Sequence, residues 1–289
     1  MSDDLARFAA GGLSGVAAVV LTVYAALAER TGPARCPAGL VAVGPRCCGA
    51  GQTLEGGRCS GKPTSCAETQ VVAPTGCVAK LERVSVASGK VRLNGPDWDG
   101  RTEKGSGLVA VARFEIDANE VTNARWEHCR AAKKCDSLRV PGELGQPVRG
   151  VTPEEAEVFC EYAGGRLPGG AEWILAASGA EARRYPWGST GLVCRRAAFG
   201  LASGPCADGG DTPDLAGARP DGSTPDGVAD LAGNVAEWTR ERDGSVRARG
   251  GSFRVRTAAE LKGWSAVGRS GAADDIGFRC AFPLTDRKD

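Results

Sequence analysis

Asp230-Leu231-Ala232-Gly233-Asn234-Val235-Ala236-Glu237-Trp238 and Arg249-Gly250-Gly251-Ser252-Phe253 lie in a long region of Gly, Pro, Asp and Arg with few periodic signals. Chain of that composition is usually disordered, but two cysteines and an interspersed Trp and Phe set argue for ordered, irregular structure. Towards the N-terminus lie Tyr185-Pro186-Trp187-Gly188 and Gly165-Arg166-Leu167-Pro168, the latter followed by Ala171-Glu172-Trp173. Trp173, Trp187 and Trp238 each sit beside glycine, proline or a carboxylate, as large anchors do when loops must be pinned into a core. The 42 glycines among 289 residues also point to many turns and a loop-rich fold.

Regular elements surround this region. Arg83–Leu93 alternates enough to read as a strand with a turn, and Leu108–Ile116 as another. A short helix is expected over Ala124–Ala132 with Asn123 as its cap. Thr152-Pro153-Glu154-Glu155 is a stronger helix start, with a capping box and proline at the first helical position. Ala156, Phe159, Cys160 and Ala163 continue it as an apolar stripe, and Gly164-Gly165 stop it. A further helix is expected from about Gly170 to Ser178.

Lys and Arg total 36 against 35 Asp and Glu, so charge balance gives no reason to expect nucleic acid as a partner. The 12 cysteines form a dense group, Cys36, Cys47, Cys48, Cys59, Cys66 and Cys77, and a spread group, Cys129, Cys135, Cys160, Cys194, Cys206 and Cys280. No CxxC pair exists and His128 is the one histidine, so disulfides explain the cysteines better than zinc. Three C-x10-C units, Cys36–Cys47, Cys48–Cys59 and Cys66–Cys77, read as degenerate repeats, each a turn or hairpin pinned by its own bond. Cys129–Cys135 and Cys194–Cys206 read as local bridges. His128 beside Cys129 also invites a Cys-His nucleophile reading, which such a bridge removes.

Disulfides need an oxidising compartment, and the uncharged run Phe8–Ala28 is long enough to cross a membrane as a helix. It reads as an export signal, more as a retained anchor than a cleaved one, although Ala26-Leu27-Ala28 imitates a cleavage site and allows a secreted form. The organisation expected is an anchor or signal over residues 1–30, cysteine-rich loops over 31–80 and one globular domain over 81–285. The domain belongs in the periplasm or cell envelope, with membrane contact through the N-terminal helix.

Phe114-x-Ile116-Asp117-x-x-Glu120-Val121-Thr122-Asn123, the four motifs already quoted and Gly277-Phe278-Arg279 follow one another with sensible gaps. Together they resemble the formylglycine-generating enzyme, or sulfatase-modifying factor, family from about Leu81 to Phe282. The resemblance implies an α+β fold related to C-type lectins: two helices, short twisted antiparallel sheets and much irregular chain. It also implies a disulfide between Cys160 and Cys280. It implies a calcium site at Asn234, Val235 and Glu237, whose oxygens suit a hard cation, although the same groups can tie a turn by hydrogen bonds. The family's other calcium site is in doubt, because Ala197-Ala198-Phe199-Gly200 stands where an asparagine is usual.

Enzymes of this family place a cysteine pair after the Arg-Gly-Gly-Ser motif to bind copper(I). Here those positions are Val255 and Glu260. Valine ligates nothing and a lone glutamate is a hard ligand, so copper is a poor fit. Iron-dependent members use several histidines, and His128 alone cannot make such a site. The resemblance thus favours a catalytically silent domain that presents a groove, with Arg249, Arg254, Arg256, Trp264 and Arg269 as its binding residues, to a protein, peptide or glycan. The alternatives are a formylglycine-generating oxidase or related oxygen-dependent enzyme, and a structural envelope stalk.

Overall fold

A computed structural model describes residues 36–284 except 37, 45, 56–57, 67–69, 74–75, 80–81, 96–106, 137–141, 192–193, 208–209 and 268–270. The expected anchor over Phe8–Ala28 and the binding residue Arg269 lie outside the described residues. Among the described residues no helix is long and apolar enough to cross a membrane.

The cysteine-rich segment folds as three antiparallel hairpins: β1 (Leu40–Val43) with β2 (Arg46–Gly49), β3 (Thr53–Glu55) with β4 (Arg58–Ser60), and β5 (Gln70–Ala73) with β6 (Gly76–Ala79). Each carries one disulfide, Cys36–Cys47, Cys48–Cys59 and Cys66–Cys77. Closing loops of this size contributes about 3 kcal/mol each in the chain-entropy picture, which offsets the small core that such hairpins bury. The hairpins are not strung out ahead of the globular part. Leu40 and Cys77 are buried against Leu215, and the Gln70 side chain donates to the Ala216 carbonyl at 3.2 Å. Gly145 approaches the Cys77 carbonyl so closely that a Cβ there would sit 1.8 Å from it.

The two expected strands each break in the middle. β7 (Arg83–Val86) pairs with β10 (Phe114–Asp117), while β8 (Gly89–Val91) pairs with β9 (Val109–Val111), so one long hairpin is divided between two sheets. β15 (Ala281–Phe282) adds to β10 from the other end of the chain. A four-stranded sheet runs in the order β13 (Ala266–Val267), β12 (Val246–Arg249), β11 (Ala236–Arg240), β14 (Ile276–Gly277). Its β11–β14 pair is parallel, the exception among these mostly antiparallel sheets.

Among the described residues three α-helices pack on the sheets: α1 (Asn123–Ala131), α2 (Pro153–Tyr162) and α3 (Gly170–Ser178). The α2 capping box forms as expected, Glu155 N to Thr152 Oγ1 at 3.2 Å and Thr152 N to Glu155 Oε2 at 2.7 Å. The α1 cap is Thr122, one residue earlier than expected, because the Asn123 amide is drawn away to the Glu143 carbonyl at 2.9 Å. Trp126, Trp173 and Trp238 are fully buried. Trp126 stacks on Phe159 at 5.7 Å beside the Cys160–Cys280 bond, whereas Trp187 is only half-buried and stacks on Tyr185. Of the expected anchors, Trp187 therefore serves the surface, and Trp126 takes its place in the core. Cys129–Cys135 and Cys194–Cys206 close local loops, so all 12 cysteines are bonded.

Candidate functional site

The polar residues of the quoted motifs meet at one buried centre. Arg279, with no exposed surface, donates from Nη2 to Glu237 Oε1 at 2.6 Å and from Nε to Glu237 Oε2 at 2.8 Å. Its other donors reach the carbonyls of Asp117, Ala118 and Ala229, at 3.0, 3.2 and 2.7 Å. Trp173 Nε1 donates to Glu237 Oε2 at 2.7 Å, so α3, β11 and the last motif share one carboxylate. Beside it the buried Glu120 accepts from Asn234 Nδ2 at 2.6 Å and from Val235 N at 3.0 Å. A buried charge is tolerated only when paired and hydrogen-bonded, and this centre meets that condition.

Electrostatics at the centre follows from burial. Desolvation pushes the Glu120 carboxyl well above its usual range, with Asp230 and Glu237 adding to the effect and Arg279 opposing it. Burial likewise lifts Asp230 to about 6, against the Gly217 N–H that it accepts. For Arg279, desolvation favours the neutral form, but Glu237, Glu120 and Asp230 outweigh it and raise the pKa above the ordinary arginine value.

Calcium does not fit the expected ligands Asn234, Val235 and Glu237. The guanidinium of Arg279 already supplies the positive charge facing Glu237, and it engages both carboxylate oxygens. The Asn234 side-chain oxygen accepts from Asp214 N at 2.9 Å, and its carbonyl accepts from Phe253 N at 2.7 Å. Val235 offers a backbone carbonyl alone. These residues tie a turn and an inter-element junction together. Among the described residues no group of three or more His, Cys, Asp and Glu is placed to hold a metal ion.

Val255 and Glu260, at the positions that the resemblance gives to the family's cysteines, both approach Gly251, the first with its side chain and the second with its backbone carbonyl. A Cβ on Gly251 would lie 3.0 Å from the Glu260 carbonyl and 3.2 Å from Val255 Cγ2. Val255 packs against the cluster of Phe253 and Leu261, and the Glu260 carboxylate accepts from Thr257 Oγ1 at 2.6 Å. His128 stands on α1, its Nδ1 3.0 Å from the hydroxyl of Tyr162 at the exposed end of α2. With Cys129 bonded to Cys135, no thiolate stands beside it.

A cleft of about 630 Å³ opens on the four-stranded sheet, between the β11–β12 turn and the stretch after Glu260. Arg249 lies buried at its base, donating to Glu241 Oε1 at 2.7 Å and to Thr239 Oγ1 at 3.3 Å. Burial pulls the Arg249 pKa below the ordinary arginine value, and the Glu241 carboxylate counters it. Trp264, 8% exposed, lies against the turn at Gly95, where a Cβ would come within 2.5 Å of the indole. Arg242, Asp243 and Arg247 form the rim.

Of the expected binding residues, Arg249 and Trp264 line this cleft, and Arg254 and Arg256 do not. Arg254 is held between Asp211 at 3.2 Å and Asp274 at 2.7 Å, so its charge is matched within the chain. Arg256 is exposed elsewhere on the loop. Glu241, Arg242 and Arg247 were not singled out from the sequence, although Asp243-Gly244 between two β-forming runs is a hairpin signal that would have placed them together.

A family model described as "Sulfatase-modifying factor enzyme 1-like domain" matches residues 69–284. Hercynine oxygenase of Mycolicibacterium smegmatis is 34% identical over 149 residues, 49% of this chain and 29% of that protein. Inactive C-alpha-formylglycine-generating enzyme 2 of Bos taurus is 33% identical over 156 residues, 48% of this chain and 51% of that protein. The chain thus spans about half, or less, of the length of these relatives. Among solved structures, PvdO from Pseudomonas aeruginosa aligns with a TM-score of 0.56 at 22% identity, covering 72% of this chain and 95% of that one. CarF aligns with a TM-score of 0.53 at 19% identity, covering 71% and 99%. At such identities the structures speak for the fold alone. The match over residues 69–284, on a fold shared with these structures, makes this chain a member of the sulfatase-modifying factor enzyme 1-like domain family.

Proposed function

We propose that this protein is an exported recognition domain that keeps the family's fold without its oxidase chemistry. The observation that carries the reading is the pair Val255 and Glu260, which stand at the two positions that the resemblance gives to the oxidase cysteines, Val255 packed against the Phe253 cluster and the Glu260 carboxylate turned to Thr257 Oγ1 at 2.6 Å. No other cysteine can substitute, because all 12 are in disulfides. The motif residues that signal the family are occupied in building the Glu237–Arg279 centre, so their presence supports the fold and says nothing for turnover.

The six disulfides support an oxidising compartment, and the uncharged run Phe8–Ala28 supports a membrane anchor that leaves the rest of the chain in the periplasm or cell envelope. The ligand is a protein, peptide or glycan met there, and the cleft over Arg249 and Trp264 is where it binds. Docking of the hairpins on Leu215 and Gly145 weighs against a stalk, which needs a segment standing clear of the domain.

An oxygen-dependent enzyme is the second reading, favoured by the hercynine oxygenase among the relatives. The single histidine, hydrogen-bonded to Tyr162, weighs against it. Incubating the purified protein with a Cys-x-Pro-x-Arg peptide, copper and oxygen separates the recognition reading from a formylglycine-generating oxidase. Unchanged peptide mass is expected. Conversion of its cysteine to formylglycine at a rate comparable with an active family member would overturn the recognition reading.

A further inference from the structure

Charge on the cleft is unevenly compensated. At its base Arg249 and Glu241 neutralise one another. Of the rim residues, the exposed Asp243 accepts from Ser245 N at 3.0 Å and Ser245 Oγ at 2.6 Å, and these bonds, with a smaller contribution from the charge of Arg247, hold its carboxyl below the ordinary range. Arg242 donates only to the Ala110 carbonyl at 3.4 Å, and neither it nor the exposed Arg247 forms an ion pair with a described residue. Two guanidiniums at the mouth of a concave site, each with donor forks to spare, are suited to bidentate capture of carboxylates.

Two features favour a peptide over a sugar chain. The Trp264 indole is covered by the turn at Gly95, and Lys262 Nζ stands 5.8 Å over its ring, so among the described residues the cleft presents no open aromatic platform for a sugar ring. Ala266, in contrast, lines the cleft from β13, the edge of the four-stranded sheet, where an extended chain can add main-chain hydrogen bonds. We infer that this cleft binds an extended acidic peptide segment, its carboxylates on Arg242 and Arg247 and its backbone along β13. The inference rests on the recognition reading and names its ligand class.

The test is fluorescence anisotropy of the purified protein with labelled hexaglutamate, hexalysine and a hexamer of galacturonic acid, for wild type, the double variant Arg242→Glu/Arg247→Glu and Arg256→Glu. Hexaglutamate binding that weakens with salt is expected, with affinity falling about tenfold or more in the double variant. Arg256→Glu, an equally exposed change outside the cleft, leaves it unaltered. Tighter binding of the uronic acid hexamer, equal binding of hexalysine, indifference to the double substitution, or binding of none of the three would each overturn the acidic-peptide assignment. The recognition reading fails separately, on formylglycine production in the mass assay.

Discussion

Arg279 and Glu237 form a two-pronged ion pair at 2.6 and 2.8 Å with neither side chain reaching solvent, and through Trp173 and three backbone carbonyls they join elements from opposite ends of the domain. Removing one member leaves the other buried and unpaired. Arg279→Met is therefore expected to cost about 3–5 kcal/mol, while Arg279→Met combined with Glu237→Met costs less than the single change. Urea unfolding of the four forms of this cycle measures the coupling. A single variant as stable as wild type would show that the pair is not what holds the centre.

Stability should also carry the mark of Asp230. Its folded carboxyl titrates at about 6 against an ordinary value of 3.8, so between those values the folded chain keeps a proton that the unfolded chain has lost. The contribution is fully present below that window, is lost as pH rises through it, and levels off above pH 6, a change of about 3 kcal/mol. Glu120, displaced in the same direction, adds to the slope. Asp230 has φ 58, which asparagine tolerates, so Asp230→Asn keeps the backbone and removes the titration. Between pH 4 and 7 the melting temperature of wild type relative to this variant should fall; parallel curves would contradict the assignment.

Calcium should leave the melting temperature where it is. With Arg279 facing Glu237, a cation added at Asn234 and Glu237 meets a guanidinium in its place. Scanning calorimetry with calcium and with chelator checks this, and a midpoint that climbs with calcium concentration would restore the ligand set implied by the resemblance.

Gly145 tests whether the hairpins belong to the domain. A methyl group there would press on the Cys77 carbonyl, so Gly145→Ala is expected to destabilise the domain by about 1–3 kcal/mol and to expose residues 70–79 to faster hydrogen exchange. Unchanged exchange in that hairpin would mean that the contact carries no energy.

The sequence shows its fold where a motif is local. The capping box of Thr152 and Glu155, the three C-x10-C units and the helix from Gly170 could all be read because their partners lie within a dozen residues. What escaped was long-range. Nothing near Asn123 announces that Glu143 will take its amide, and the break of Arg83–Leu93 into β7 and β8 depends on where β10 and β9 lie. Site residues divide in the same way. The resemblance assigns Asn234 and Glu237 to a cation by their oxygens, but Arg279, 42 residues from Glu237, engages that carboxylate, and Glu120, 114 residues from Asn234, fixes the amide. The arginines could be listed by position, yet Arg254 is matched by two aspartates and Arg249 is not at the surface, facts that depend on tertiary placement alone.

On the recognition reading, a loop that offers valine and glutamate at the two positions that the resemblance gives to cysteines, in a chain whose thiols are all bonded, assembles no soft-metal centre. Copper(I) titration of the native protein against a competing chelator, with thiol counting on the same sample, tests it most directly. The expected result is no reactive thiol and no copper retained; one equivalent of copper held against the chelator, or two titratable thiols per chain, would contradict the account.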